Sequence, residues 1–276
     1  MLDTARVIAF AFAGWVAINV AVRLFVVPWL RRQCAGDAVA GGLWLVLRGY
    51  CGMVHRAAWT GHESIRMQGG TAELDRARGP LIVVSNHTAG LDPLLIQTGC
   101  RFRIRWMMAA DMMVPALEWL WRRERVIPVH FDGRDAAAAR EAMRHLEAGG
   151  VLGVFPEGGI ARPPGTIQPF LPGVGLIVAR TQAPVLLTLV TDTPARDRAF
   201  ESLLIPSRSK VRYLELIRYP EGTKASIIIE DLAQRLAAAS GWPRVARRAA
   251  VEGTVEGTVE GPVEGPVATD AVGATR

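Results

Sequence analysis

Short apolar runs alternate with helix-like segments between about residues 79 and 240. Many of these runs are rich in β-branched residues, which is typical of buried strands. This alternation predicts an α/β fold with a mostly parallel central sheet flanked by helices, and the reactive loops of such sheets lie beyond the carboxyl ends of the strands. The predicted strands are 81–86, 103–109, 125–129, 151–155, 184–190 and 211–217, and the predicted helices are 93–99, 115–123, 134–148, 174–180 and 223–239.

A long uncharged segment lies near the N-terminus. Residues 7–22 carry no charge, Arg23 follows, and a second apolar run, 24–30, ends at Arg31 and Arg32. The uncharged segment reaches about 24 Å as a helix, less than a hydrocarbon core of ~30 Å, so it either spans with Arg23 snorkelling or lies in the interface. A cleavable signal peptide is disfavoured, because no small-residue cleavage site follows. If the segment spans, the arginines after it place the rest of the chain in the cytoplasm.

A second apolar stretch, 38–59, is interrupted by Arg48, His55 and Arg56. This pattern favours an amphipathic helix at the membrane interface over a second span. We expect residues 1–60 to form membrane-associated helices and residues 61–245 to form the main folded domain. Tryptophan prefers the interfacial depth, and the tryptophans of this region are Trp15, Trp29, Trp44 and Trp59.

The C-terminal region has a different composition. Residues 251–266 are four tetrapeptides, each VEGT or VEGP, and such a segment cannot bury a core. We predict a disordered acidic tail over residues 246–276. The chain has a net charge of +6, and because residues 251–276 carry five acids and one arginine, the first 250 residues carry +10. This charge favours anionic partners.

The anionic partner could be a nucleic acid, an acidic lipid or a phosphorylated small molecule. The run WLWRRER, 119–125, would suit base stacking or a membrane-interface face equally, and a solvated helix end is a third interpretation. The apolar N-terminal segment favours a phospholipid membrane surface, so we predict no nucleic acid. The histidines and cysteines lack metal-ligand spacing, so we predict no metal site.

The first motif with chemical content closes the predicted strand 81–86. The sequence SNHTAGLDP places His87 just past the strand and Asp92 after a turn. A neutral imidazole beside a carboxylate is a general base, because the carboxylate fixes the tautomer and stabilises the imidazolium that forms. Asp92 followed by Pro93 is also typical of a capped helix N-terminus, which is the alternative role of this carboxylate. Ser85 does not lie in a G-x-S-x-G turn, so a serine nucleophile is disfavoured.

A second motif, VFPEGGIARPPG, follows the predicted strand 151–155. Its turn presents Glu157 and backbone amides at the end of the strand, and Gly158 and Gly159 allow close approach of a polar ligand. An ordinary surface turn is the alternative, since glycine and proline clusters usually mark loops. Two such motifs, each closing a predicted strand, favour a shared site.

Together the motifs resemble those of the glycerolipid acyltransferase family, of the lysophosphatidic acid acyltransferase type. The hallmark of that family is N-H-x-x-x-x-D followed later by F-P-E-G. Asn86, His87 and Asp92 match the first block, and residues 155–158 match the third. The resemblance covers about residues 81–190, with weaker similarity to the second and fourth family blocks.

The resemblance implies transfer of a fatty acyl group from acyl-coenzyme A or acyl carrier protein, as co-substrate, to a lysophospholipid hydroxyl. The acceptor it favours is 1-acylglycerol-3-phosphate, and it implies neither a covalent intermediate nor a bound cofactor. His87 would be the general base and Asp92 would orient it. The residues it implies for substrate binding are Asn86, Glu157, Gly158, Arg162 and Arg134.

Several positions depart from the family pattern. Gly159 and Ile160 stand where the family usually has threonine and then arginine or serine, and Phe131 stands where the second block has arginine. Arg162 and Arg134 are the nearby cations. These changes leave the general base intact and fall on the acceptor side. Another lysolipid or an aminoacyl lipid is therefore an alternative acceptor, and a noncatalytic lipid-binding or scaffold protein is the alternative of a different class.

Overall fold

The structure is a computed structural model that describes residues 4–34, 36–62, 80–130, 135–196 and 199–246. Almost all of the predicted acidic tail, 247–276, lies outside these residues. The strands are β1 (Ala58–Thr60), β2 (Leu81–Ser85), β3 (Arg105–Ala109), β4 (Ile127–Val129), β5 (Val151–Val154), β6 (Val185–Thr191) and β7 (Lys210–Ile217). The helices are α1 (Thr4–Ala21), α2 (Val27–Gln33), α3 (Ala38–Val54), α4 (Asp92–Gly99), α5 (Glu118–Glu124), α6 (Asp135–Glu147), α7 (Pro172–Thr181), α8 (Glu201–Leu204) and α9 (Ala225–Ser240).

The seven described strands form one sheet in the order β1-β7-β6-β2-β5-β3-β4. Every neighbouring pair is parallel except β6 with β7. The prediction of a mostly parallel sheet flanked by helices is therefore confirmed. β2 lies in the middle, between β5 and β6, so the loop that follows it opens at the centre of the carboxyl edge of the sheet.

Helices cover both faces of the sheet, and this explains the uninterrupted apolar run of β2. Ile82 and Val84 belong to the core beneath α6, α7 and α9. Leu81 and Val83 point to the opposite core, which α3 and α4 cover. A central strand of a parallel sheet is apolar on both sides because both sides are buried.

The second apolar stretch differs from its prediction. The helix α3 ends at Val54, and residues 58–60 form β1, which pairs in parallel with β7. Trp44 is buried and donates from Nε1 to the carbonyl of Cys100 at 2.7 Å, and Trp59 donates to the carbonyl of Leu95 at 2.8 Å. These two tryptophans therefore pack against α4, and their interfacial depth stays a prediction.

Arg48, which made the stretch look amphipathic, lies against protein. Its guanidinium lies over the rings of Trp44 and Trp59, and it donates to the carbonyl of Thr98 on α4. The opposite side of α3 exposes Val39, Val46 and Met53, spaced seven residues apart. The helix therefore packs one face on the domain and leaves an apolar stripe on the other.

The N-terminal helices run almost without a break. α1 continues through a π-helical segment, Val22–Val26, into α2. Residues Phe10–Gln33 are long and apolar enough to cross a membrane, with a mean hydropathy of 2.0, and this apolar stretch is not buried against the rest of the described protein. Trp15 and Trp29 are exposed on it. Such an uncovered apolar helix suggests membrane association.

Candidate active site

The two sequence motifs meet at the carboxyl edge of the sheet. β2 and β5 are parallel neighbours, and Val84 pairs with Val154. His87 lies three residues after Val84, and Glu157 lies three residues after Val154. The loops that follow β2 and β5 therefore leave the sheet side by side. The backbone N–H of His87 donates to Oε1 of Glu157 at 2.8 Å. The structure therefore brings residues 70 positions apart in the chain into one site.

His87 and Asp92 form the predicted imidazole–carboxylate pair. His87 Nδ1 lies 2.9 Å from Asp92 Oδ2, and Asp92 is fully buried, whereas the His87 side chain is 17% exposed. Since the carboxylate accepts, Nδ1 carries the proton and Nε2 is left as the basic nitrogen. No hydrogen bond from a described residue reaches Nε2. That nitrogen is therefore free to accept a proton from a substrate.

Asp92 is held by the loop that it closes. Its Oδ2 also accepts from the backbone N–H groups of Thr88 at 2.6 Å and Ala89 at 2.9 Å, and its Oδ1 accepts from the Thr88 hydroxyl at 3.1 Å. Leu91 occupies the N-cap position of α4 and Asp92 is its first residue. The carboxylate thus binds the upstream loop, and the capping alternative from the sequence is wrong in its geometry.

Glu157 connects three segments of the site. Its Oε1 accepts from His87, and its Oε2 accepts from the backbone N–H of Gln168 at 3.0 Å. The backbone N–H of Ala161 in turn donates to the His87 carbonyl at 2.8 Å. Burial raises the pKa of the Glu157 carboxyl to about 7, against the opposing effect of these two backbone donors. This side chain ties the loop after β5 to the backbone of the general base.

The raised pKa of Glu157 gives a pH-dependent stability with a defined sign. The folded protein binds more protons than the unfolded chain between pH ~4.5 and ~7, so the contribution of Glu157 is present below that window and is lost as the pH rises through it. We expect Glu157→Gln to remove this slope, which is on the order of 3 kcal/mol across the window. Unfolding of both forms in detergent between pH 4 and 8 measures it.

The matched control for that experiment is Glu147→Gln, because Glu147 is exposed at the end of α6. This variant should keep the wild-type pH profile. A wild-type stability that rises with pH, relative to Glu157→Gln, would contradict the assignment.

Aromatic rings fix the plane of the imidazole. The His87 ring stacks on Phe155, with centroids 4.1 Å apart and an interplanar angle of 15°. Phe155 stacks on Trp106 of β3, with centroids 5.0 Å apart and an angle of 8°. This stack of the His87, Phe155 and Trp106 rings gives the first residue of the F-P-E-G motif, Phe155, a role beside the general base. It restricts rotation of the His87 ring while the bond to Asp92 fixes its direction.

Asn86 is buried at the end of β2 and is paired with backbone. Its side-chain amide donates to the Val190 carbonyl at 2.8 Å, and its amide oxygen accepts from the Val190 N–H at 2.8 Å. These bonds continue the β2–β6 ladder beyond its last strand residue. The contacts present thus make Asn86 a support for His87, and its role in substrate binding stays a prediction.

We expect Asn86→Ala to destabilise the protein by about 2–4 kcal/mol. The substitution leaves the buried N–H and C=O groups of Val190 without partners, and each costs ~1–3 kcal/mol. Denaturant unfolding measures the difference, with Arg140→Ala on the exposed side of α6 as the control. A loss below 1 kcal/mol would show that water replaces the amide.

The other predicted binding residues are placed less directly. Gly158 has φ of +74°, a conformation that favours glycine, in the turn after Phe155. Arg162 is exposed and its guanidinium donates to the carbonyls of Ala161 and Arg196. Arg134 lies outside the described residues. Gly158 thus shapes the loop beside His87, whereas Arg162 is held on its outer side.

Sequence reasoning missed several side chains that support the site. Thr88 and Gln168 bond to the two carboxylates, and the Thr193 hydroxyl donates to that of Thr88 at 2.8 Å. Thr88 could have been found, because it lies inside the first motif. Trp106 and Thr193 carry no local signal, since they approach only through the order of the strands. Within the described ranges, no three histidine, cysteine or acidic side chains are grouped so that they could hold a metal ion.

Comparisons with known proteins agree with this geometry. The family model Acyltransferase matches residues 60–190. The crystal structure of the 1-acyl-sn-glycerophosphate (LPA) acyltransferase PlsC from Thermotoga maritima superposes with a TM-score of 0.56 at 17% sequence identity, over 82% of this chain and 91% of that one. No curated protein matches the sequence significantly. Residues 60–190 are thus similar to the Acyltransferase family, and the chain shares the fold of the Thermotoga structure.

Proposed function

We propose that this protein transfers a fatty acyl group from acyl-coenzyme A or acyl carrier protein to the hydroxyl of a lysophospholipid, with 1-acylglycerol-3-phosphate as the favoured acceptor. The observation that carries the proposal is the 2.9 Å contact between His87 Nδ1 and buried Asp92. It leaves a basic nitrogen facing the carboxyl edge of the sheet. The family match supports the acyl-transfer class, and the name of the Thermotoga protein supports a lysophospholipid acceptor.

The proposed reaction is a direct attack. His87 Nε2 accepts the proton of the acceptor hydroxyl as its oxygen attacks the thioester carbonyl carbon. The carbon–sulfur bond then breaks, the acyl group becomes an ester of the acceptor, and the imidazolium returns the proton to the thiolate that leaves. Asp92 stabilises the imidazolium in the interval. No protein nucleophile is needed.

The loop after β5 shapes the other side of this proposed site. Glu157 uses both oxygens on backbone N–H groups, so in this proposal it contributes by placing the loop beside His87. Gly158 provides the turn with positive φ that brings the backbone back toward His87. Both residues would then hold the acceptor through the position of the backbone around it.

A different acceptor is the second candidate, and Arg162 is the reason. Its guanidinium already donates to two backbone carbonyls, and Gly159 and Ile160 supply no cation. A phosphate at the acceptor would therefore need Arg162 to change partners. An uncharged or zwitterionic lysolipid would not need such a change.

A panel of acceptors separates these candidates. Purified protein in detergent is given labelled acyl-coenzyme A with 1-acylglycerol-3-phosphate, with lysophosphatidylglycerol, with lysophosphatidylcholine or with an aminoacyl lipid. Labelled phosphatidic acid as the main product supports the first proposal. A diacyl product from another acceptor favours the second candidate. Equal turnover by the wild type and His87→Ala with every acceptor would indicate the noncatalytic alternative.

The membrane arrangement is part of the proposal. The exposed apolar helix Phe10–Gln33 seats the protein on the bilayer, and Arg31 and Arg32 in its last turn favour a cytoplasmic position for the catalytic domain. The lysophospholipid acceptor and the acyl chain of the donor would then both reach His87 from one leaflet.

A further inference from the structure

An arginine-rich cleft lies at the amino edge of the sheet, away from the catalytic edge. It encloses about 1360 Å³. Gly150 and Val151, at the start of β5, line it, whereas Glu157 follows the end of the same strand. Four strand residues span ~13 Å, so the cleft and the site of His87 are separate.

The cleft has a large excess of positive charge. Eight of its lining residues are arginines, and Glu124 is the only acid among the described lining residues. Acids next to the cleft pair with some of these arginines, since Glu118 contacts Arg122 and Glu141 contacts Arg105. The arginines with no carboxylate within 4.0 Å in the described part of the chain are Arg31, Arg32, Arg101 and Arg125.

One buried nitrogen in the cleft lacks a hydrogen-bond acceptor. Arg123 Nη2 is buried and has no hydrogen-bond partner among the described residues, and the nearest carboxylate oxygen, Asp37 Oδ2, is 3.9 Å away. A buried unsatisfied donor is costly, so a native structure usually supplies an acceptor for it. An anionic oxygen in the cleft would satisfy this guanidinium.

The surroundings of the cleft identify the source of that anion. Arg31 and Arg32 close the exposed apolar helix Phe10–Gln33 and also line the cleft. Trp119, another lining residue, is exposed. An apolar helix followed by arginines, with a tryptophan beside them, is the composition of the headgroup layer of a membrane.

The helix α3 extends the same surface toward the catalytic edge. Its N-cap residue, Asp37, lies beside Arg123 of the cleft, and its exposed stripe runs from Val39 through Val46 to Met53. A bilayer against this stripe would meet the cleft at one end of α3.

We infer that the cleft binds the phosphate headgroups of anionic phospholipids in the membrane on which the protein sits. It does so without contributing to the acyl-transfer chemistry at His87. This inference rests on the membrane association in the proposed function and not on the reaction itself. Several weak phosphate contacts from arginines near the membrane surface would together give the protein a preference for anionic lipid.

The test measures lipid binding with no acyl donor present. Full-length protein in dodecyl maltoside micelles is titrated with fluorescently labelled phosphatidylglycerol, and separately with labelled phosphatidylcholine. We expect the wild type to bind phosphatidylglycerol at least ~10-fold more tightly, with the preference reduced at high salt. Since no turnover occurs, the result does not depend on whether the proposed reaction is correct.

Two triple variants of equal charge change make the test specific. The cleft variant is Arg31→Gln, Arg101→Gln and Arg122→Gln, and all three arginines are exposed and line the cleft. Arg31 and Arg101 have no carboxylate partner among the described residues, and Arg122 lies on the surface of α5. The control variant is Arg140→Gln, Arg180→Gln and Arg218→Gln, which changes three exposed arginines outside the cleft. We expect only the cleft variant to lose the preference for phosphatidylglycerol, with both variants unfolding at the wild-type temperature.

Two results would overturn the inference. The cleft variant could keep the wild-type preference, or both variants could lose it equally, which would show a general effect of charge. A cleft variant with unchanged lipid binding and a raised KM for acyl carrier protein or acyl-coenzyme A would assign the cleft to the acyl donor.

Discussion

Replacing His87 with alanine is expected to lower kcat by at least about a hundredfold, equivalent to ~3 kcal/mol of barrier, because general-base catalysis contributes about 10²–10⁴-fold. The KM values should change little, since the imidazole acts mainly when the acceptor proton moves. Initial rates of labelled acyl transfer from acyl-coenzyme A to the acceptor measure the effect.

The control for His87→Ala is a substitution at His62, a histidine that lies away from the site. His62 is exposed and contacts the carbonyl of Gly99, at the end of α4 that is far from Asp92. His62→Ala should keep the wild-type rate. A loss of less than tenfold for His87→Ala, in a variant that unfolds like the wild type, would mean that another group accepts the proton.

The second large effect is expected at Asp92, where two substitutions separate charge from structure. Asp92→Asn keeps an oxygen that can accept the donors now shared by Oδ2, but it removes the negative charge that stabilises imidazolium. We expect kcat to fall at least about a hundredfold with little change in stability. Rates and unfolding temperatures of the same preparation give both quantities.

Asp92→Ala should differ from Asp92→Asn in stability. It leaves the partly buried N–H of Thr88 and the buried N–H of Ala89 without an acceptor, and an unsatisfied buried group costs ~1–3 kcal/mol. We therefore expect an additional loss of about 2–5 kcal/mol. If Asp92→Asn were as active as the wild type, the charge of Asp92 would not be needed and the side chain would serve only to hold the loop at Thr88 and Ala89.

The central part of the fold was predictable because local patterns and topology agree there. The strand β2 reads as a continuous apolar run, since it is buried on both faces, and its end at Ser85 fixes where His87 emerges. The five-residue spacing to Asp92 allowed the pair to be predicted from the chain alone. Parallel strand order then explains why Glu157 lies beside it.

Other features depend on contacts that no local pattern encodes. Arg48 looks like a residue facing lipid headgroups, but Trp44, Trp59 and the Thr98 carbonyl supply it with a protein environment. The stack of Trp106 on Phe155 requires β3 to lie next to β5, and that order cannot be deduced from either strand. The arginines of the cleft likewise come together only in the fold.

The proposed function requires proton transfer by His87 and a direct attack on the thioester, and one experiment tests both. Purified protein is incubated with labelled acyl-coenzyme A, with and without 1-acylglycerol-3-phosphate, and the label is followed into lipid and into protein. We predict label in phosphatidic acid only when the acceptor is present, none on the protein, and almost none in lipid with His87→Ala. Label that accumulates on the protein without acceptor, or equal lipid labelling by His87→Ala, would contradict the account.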